Sequence, residues 1–368
     1  MKKIILKIHG YLGLFTGFVV FIVSVTGCLW VFEKEIKSIV ETEYIISKGS
    51  GEVINPVAAK ELAQKVFPER NVHGTLYHRE ISPIEVIFYE PEPEFYQSVM
   101  LHPYSGEVLE VINHENGFFA FILDGHMNLW LPEKVGSNIV AFSVLTFLII
   151  LISGFFLWMP KRRNLKQRFY FQWKDSTRWK RKNFDLHSII GFYVLLFAFV
   201  LAFTGSVMAY DWFYYLTYKA AGGEKAPQFS IPENTSEPDS LKKRNNLADV
   251  INIARMEFPD AVSYEIHYPH DDSASIYVEV TSAEGVYYSS DYIFYDSNTL
   301  DHIETPGIYG RYEDANFADM VIRTNYDIHV GAIGGLPGKI IAFMASLVTA
   351  TLPVTGFLLW YGRNKKKN

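Results

Sequence analysis

Four histidines at matched spacings carry the chemistry that this sequence offers. His9 is followed by Gly13 and by Thr26-Gly27, and His187 is followed at identical offsets by Gly191 and by Thr204-Gly205. His126 precedes Ser153-Gly154 and Trp158, while His329 precedes Thr355-Gly356 and Trp360, with intervals to the glycine of 28 and 27 residues. Imidazole is the commonest metal ligand among side chains. A bare ion would be caged poorly here, because no Asp, Glu or second cysteine accompanies these histidines in the apolar stretches. Two imidazoles facing one another suit a flat macrocycle held from both sides, and haem b in particular. Such a group also needs neighbouring backbones without bulk. Gly13 and Gly191, one helical turn from His9 and His187, clear space beside it, and Gly27, Gly154, Gly205 and Gly356 keep the facing helices slim.

These residues need long apolar elements to position them. Four stretches, 8–32, 136–160, 186–210 and 340–362, lack Asp, Glu, Lys and Arg altogether. Each exceeds the roughly 20 residues that a helix needs to cross a bilayer core. The 368-residue chain is 49% hydrophobic and carries a net charge of -6, which is too apolar for a disordered chain and ordinary for a membrane protein with exposed domains. The expected fold class is membrane α-helical, with four transmembrane helices arising from an internal duplication and two exterior α+β modules. The helices are expected within residues 1–33, 136–160, 186–212 and 338–362, and the exterior modules over 34–135 and 213–337. A basic link covers 161–185 and a basic tail covers 363–368.

Basic residues set the direction. Lys2, Lys3 and Lys7 precede the first helix, ten Lys and Arg residues from Lys161 to Lys182 fill the link, and Arg363, Lys365, Lys366 and Lys367 end the chain. Both termini and the link are therefore expected in the cytoplasm, in a multi-pass membrane protein. The first and third helices then run outward, placing His9 and His187 at the inner end. The 18 residues from His9 to Gly27 span roughly 27 Å at about 1.5 Å each. The second and fourth helices run inward, placing His126 and His329 at the outer end. The direction thus predicts an inner pair, His9 with His187, and an outer pair, His126 with His329.

The long connections also look like copies. Ala58, Leu62 and Val66 share one helical face before Phe67-Pro68-Glu69, and Leu247, Val250, Ile251 and Ala254 share another before Phe258-Pro259-Asp260. Strands are expected over 85–89 and 275–280, with hairpins turning at Pro103-Tyr104-Ser105-Gly106 and at Asp296-Ser297-Asn298. The stretch 219–246 reads as a loop peculiar to the second copy. Cys28 is the single cysteine, so an intrachain disulfide and a Cys-x-x-Cys-His haem attachment are both excluded. Val25-Thr26-Gly27-Cys28 also resembles a lipoprotein cleavage site, yet Thr204-Gly205 repeats the Thr-Gly deep in the chain where no signal peptide ends.

Together, HGYLGLFTG with VTG, LHSIIGFY with FTG, and the inner-end SGFFLWMPKRR and TGFLLWYGR resemble the PepSY-associated transmembrane family, which includes di-haem ferric-siderophore reductases of bacterial inner membranes. The resemblance covers nearly the whole chain and makes the exterior modules PepSY-like. It implies two haem b groups with His9, His126, His187 and His329 as ligands, and electrons passing outward to a ferric siderophore or another ferric chelate. No Gly-x-Gly-x-x-Gly nucleotide-binding unit accompanies the spans, so the donor is expected to be a quinol or a cytoplasmic reductase. The bilayer is the other partner, no nucleic acid is expected, and no catalytic residue is assigned. The alternative is a haem-free PepSY-type membrane sensor or protease regulator. Trp130, Arg323 and Tyr326 are candidates to touch chelate or haem propionates, against the plain reading of interfacial aromatics. The run from His267 to Asp272 is a weak metal candidate, and His73, His78, His102, His114 and His302 are assigned nothing.

Overall fold

The computed structural model describes residues 2–40, 44, 46, 51–79, 81–159, 166–237, 239–271 and 273–364. Lys161, Arg162 and Arg163 of the basic link, Lys365, Lys366 and Lys367 of the tail, and Asp272 lie outside the described residues. The chain divides into two units. One comprises Met1–Lys37, Phe118–Tyr214 and Asn325–Asn368, and the other comprises Ser38–Gly117 and Tyr215–Thr324.

The chain begins with α1 (Lys2–Trp30) and the short α2 (Glu33–Val40). In α1, Phe15 and Phe18 stay 77% and 73% exposed, as expected of a helix whose outer surroundings are lipid. Next comes α3 (Pro56–Gln64), which starts where the Asn55 side chain accepts from the Ala58 amide and Pro56 occupies the first turn. Strands β1 (Val72–His78), β2 (Ile84–Pro91), β3 (Glu94–Leu101) and β4 (Val108–Asn113) follow. The chain returns through α4 (Phe118–Asn128) and α5 (Glu133–Trp158).

Beyond α5 lie α6 (Lys166–Phe169) and α7 (Trp179–Asp185), a π-helical turn over Leu186–Ile190, and α8 (Gly191–Ala209). Then come α9 (Asp211–Ala220), α10 (Ser240–Glu257), β5 (Ser263–His267), β6 (Ile276–Thr281) and β7 (Asp291–Tyr295). The chain closes with α11 (Phe317–Arg323), α12 (Asn325–His329) and α13 (Gly335–Asn364).

Among the described residues four helical segments are long and apolar enough to cross a membrane: Lys2–Trp30, Glu133–Trp158, Trp179–Ala209 and Ala332–Gly362. The third starts earlier than its charge-free run because α7 continues through the π-turn into α8. Within this unit α1 and α8 each pack on both α5 and α13. Val20, Phe147, Leu151, Val194, Ala198, Ala202 and Ala345 fill the centre. Small residues at such contacts let backbones approach closely, which drives helix association in lipid. The return from α4 to α5 is tight: Leu129 and Trp130 both have left-handed φ angles, 57° and 58°. The Asn128 backbone leaves no room for a side chain at Gly136.

The other unit differs from the expectation of two separate modules. Strands from both connections form one antiparallel sheet of seven, in the order β4-β3-β2-β1-β5-β6-β7. The seam is the β1–β5 pair, with Gly74 opposite His267 and Leu76 opposite Glu265. Neither strand was expected from sequence, because each alternates core residues with Gly, Glu or His on its other face. One sheet face carries Phe88, Tyr264, Ile266 and Val278 against Ala59 and Ala63 of α3 and Val250 and Ala254 of α10. Each such fully buried large side chain contributes about 1.5–3 kcal/mol. The α3 face is centred on Ala59 and Ala63, with Leu62 and Val66 at its edge and Ala58 only half-buried. Ser240 starts α10 inside the stretch expected to be loop, and beyond the 296–298 turn only a single bridge, Tyr295 to His302, replaces the expected second strand.

Asp296 anchors that stretch. Its carboxylate is fully buried and accepts from Thr235 and Ser236, through both the amide and the hydroxyl of each, and from the Asn298 and Thr299 amides, at 2.6–3.2 Å. Burial opposes its charge, but the hydrogen bonds from Ser236, Asn298 and Thr235 outweigh it and hold the carboxyl well below the usual range.

Candidate cofactor sites

The structure brings the four histidines together as two pairs. The rings of His9 and His187 have centres 6.2 Å apart and planes at 81°, and those of His126 and His329 are 6.3 Å apart at 67°. A metal–imidazole bond of about 2.0 Å on each side of one ion puts ring centres about 6 Å apart. Both pairs have that separation.

Each imidazole is seated on a neighbouring helix by the Ser/Thr-Gly pair of its own half of the chain. His9 of α1 lies against Ser153-Gly154 of α5, and His126 of α4 lies against Thr26-Gly27 of α1. His187 lies against Thr355-Gly356 of α13, and His329 of α12 against Thr204-Gly205 of α8. A Cβ built at Gly154, Gly27, Gly356 or Gly205 would stand 3.2, 3.1, 3.3 or 3.2 Å from the Cε1 of its histidine. These four glycines therefore make room for the imidazoles, and Gly154 and Gly356 also line the cavity beside His9 and His187. Gly13 and Gly191 do border open space: with His9 and His187 they line an apolar cavity that also touches Gly10, Gly17 and Leu352. Among the described residues, nothing beyond the adjoining turns of its own helix stands within 4 Å of a Cβ built at Gly13.

Hydrogen bonds set the tautomer. His9 Nδ1 lies 3.1 Å from the Ile150 carbonyl and 3.0 Å from Ser153 Oγ, and His126 Nδ1 lies 2.9 Å from the Val23 carbonyl and 3.2 Å from Thr26 Oγ1. A carbonyl only accepts, so both histidines carry their proton on Nδ1. His187 Nδ1 is 2.9 Å from Thr355 Oγ1, and His329 Nδ1 is 2.8 Å from Thr204 Oγ1. Those hydroxyls donate to carbonyls of their own helices, Thr355 to Thr351 and Thr204 to Val200. They are left to accept from the imidazole. All four rings thus present Nε2 as the nitrogen that could ligate a metal, oriented by a partner at Nδ1 in the manner of metal-bound histidines generally.

Two further residues escaped the sequence reading. Asn183 Nδ2 donates to the Thr355 carbonyl at 3.0 Å, and Asn325 Nδ2 donates to the Thr204 carbonyl at 3.1 Å. Each asparagine stands four residues before the histidine that its threonine seats. The signal was present as the matching pentads Asn183-Phe184-Asp185-Leu186-His187 and Asn325-Tyr326-Asp327-Ile328-His329. His187 also lies in the π-helical turn, a distortion that recurs at functional sites.

Other candidates have other work. Arg323 is 5% exposed and donates to the Tyr288, Ser290 and Gly310 carbonyls, so its guanidinium is committed to backbone. Trp130 folds back on α4, donating from Nε1 to the Phe121 carbonyl at 2.8 Å. Tyr326 is 40% exposed.

Two facing imidazole pairs with fixed tautomers, set in apolar surroundings, fit haem b held from both faces. Thr204→Val keeps the shape but removes the acceptor for His329 Nδ1. It is expected to speed haem loss to an excess haem acceptor by about 10-fold at that pair only; an unchanged rate would remove the orienting role.

No curated protein matches the chain. A family model described as the PepSY-associated TM region matches residues 6–363. With four membrane-crossing helices and a match over nearly its whole length, the chain is a multi-pass membrane protein of the PepSY-associated transmembrane family.

Proposed function

We propose that the chain is a transmembrane electron conduit in which His9 with His187, and His126 with His329, each hold one haem b. Its activity is reduction of a ferric siderophore or another ferric chelate on the outer side of a bacterial cytoplasmic membrane. The observation that carries this reading is the doubled pair of facing imidazoles, 6.2 and 6.3 Å between ring centres. Haem b held by two of these imidazoles would supply one-electron exchange in place of oxygen binding.

The chain's own residues supply the rest. Ser153, Thr26, Thr355 and Thr204 hold the histidines in the ligating tautomer. Leu352 and Phe147 exclude water beside the His9–His187 pair, which tunes any potential set there. The basic residues around the termini and the link favour a cytoplasmic His9–His187 end, where a quinol or a reductase would deliver electrons. The sheet unit, read as two fused PepSY-like copies from an internal duplication, then faces the ferric chelate outside. Reduction to Fe(II) weakens a hard-oxygen chelator's hold and frees the metal.

Sealed vesicles carrying the haem-loaded chain test the activity, with a membrane-impermeant reductant inside and a ferric chelate plus a ferrous-specific chromophore outside. Colour is expected only with the chain present. No colour above protein-free vesicles, with the haem demonstrably reduced, would contradict the reductase reading.

A further inference from the structure

We propose that His73, Glu265 and His267 form a binding site for a divalent transition-metal ion on the sheet unit, separate from the membrane histidines. One ligand atom from each of the three lies within 4.8 Å of the others. Bonds of about 2.0–2.2 Å from imidazole nitrogen and carboxylate oxygen need only small side-chain rotations from this arrangement.

The local structure builds the site. Glu265 and His267 are alternate residues of β5, so they share one sheet face. His73 sits where the β1–β2 register slips between Val72 and Gly74. Such a bulge re-aims a side chain, and here it brings His73 edge-on to His267, with ring centres 4.9 Å apart. Gly74, opposite His267, supplies no side chain of its own; a Cβ there would stand 3.1 Å from Glu265 Oε1 and 3.4 Å from His267 Nδ1. Tyr277 stacks on the outer face of His267 at 4.3 Å and fixes its plane.

Two observations point to a cation. Among the described residues His267 Nε2 is buried with no hydrogen-bond partner, 3.4 Å from Glu265 Oε1. A buried polar atom left in that state calls for a ligand. Glu265 also stands directly opposite Glu279 in the β5–β6 ladder. Like charges so placed destabilise a sheet, and a bound cation would offset them.

Two imidazoles and one carboxylate with open positions suit Zn(II) or Fe(II) and leave Mg(II) and Ca(II) poorly served. The run from His267 to Asp272 had drawn notice in the sequence, but within it His270 and Asp271 pair with each other at 3.1 Å. The site draws only His267 from that run; Glu265 stands two residues before it on β5, and His73 comes from β1, far away in the chain. It stands on the sheet unit alone and does not depend on haem.

The test is metal titration of the purified full-length, haem-loaded chain, with Zn(II) by calorimetry, Fe(II) under anaerobic conditions, and Co(II) by absorption. One equivalent is expected, with Co(II) bands of a four- or five-coordinate nitrogen–oxygen site. His73→Gln, Glu265→Gln and His267→Gln should each weaken binding by at least about 100-fold, and His302→Gln should leave it unchanged. Circular dichroism and haem content identify any variant that fails to fold, and the Co(II) spectrum of the unaltered chain decides independently of them. Binding unaffected by the three variants, a Co(II) spectrum of the octahedral aqua type, or equal affinity for Mg(II) would overturn the site.

Discussion

Replacing His329 by alanine is expected to lower the haem content from about two per chain to about one, and to cut outward reduction of a ferric chelate at least 100-fold, to order of magnitude. The reason is local. His329 faces His126 at 6.3 Å, and its Nδ1 partner is Thr204. The other pair uses Ser153 and Thr355, so no imidazole partner is shared. His187→Ala should remove the complementary haem. The haem kept by His329→Ala should therefore differ in reduction potential from the haem kept by His187→Ala, because the two pairs differ in surroundings. Loss of both haems from either variant, with the helices intact, would mean that the pairs are not independent sites.

The second large effect is on stability. Asp296→Ala removes the acceptor from the donors of Thr235, Ser236, Asn298 and Thr299 that surround its buried carboxylate. Buried donors left unsatisfied cost about 1–3 kcal/mol each, while those of the exposed Thr235 and Thr299 turn to water, so a net loss of about 2–4 kcal/mol is expected. Asp296→Asn, which keeps an acceptor oxygen, should lose less. The sign with pH follows from the direction of the shift. A carboxyl held below its ordinary value contributes stability above that value and loses it as pH falls. Below an unfolded-state pKa of about 3.8, the unaltered chain therefore approaches the variant. Thermal unfolding of the full chain at pH 7 and at about pH 2.5, below the unfolded-state value, reads both effects. A difference in melting temperature that stays constant or grows on acidification would contradict the assignment of the hydrogen bonds to an ionised Asp296.

The parts of this molecule that could be read from sequence are those written in uninterrupted chemistry. Charge-free runs mark the spans because a buried or lipid-facing charge is costly, and the matched offsets of His9 and His187 survive the π-turn at His187 because each histidine is followed by a long helical span. The pairing of the histidines followed from alternating chain direction alone. What stayed hidden depended on distant partners. β1 and β5 present His, Glu and Gly on one face, so neither looks like the centre of a sheet until they are paired with each other. The glycines beside the Ser and Thr residues read as space for a macrocycle; that they also make room for an imidazole from another helix shows only once the helices are packed. Asn183 and Asn325 were visible as repeated letters, but their role exists only once Thr355 and Thr204 lie beside them. The π-turn at Leu186–Ile190 has no proline or glycine to announce it.

The central claim is that this chain holds haem between its paired histidines. The measurement that tests it most directly is the oxidised and dithionite-reduced absorption spectrum of the purified protein, with a pyridine haemochrome assay, from haem-replete cells. The account predicts about two haem b per chain with low-spin reduced bands. A folded, haem-free protein would contradict it and favour a membrane sensor in which the four histidines only order the helices.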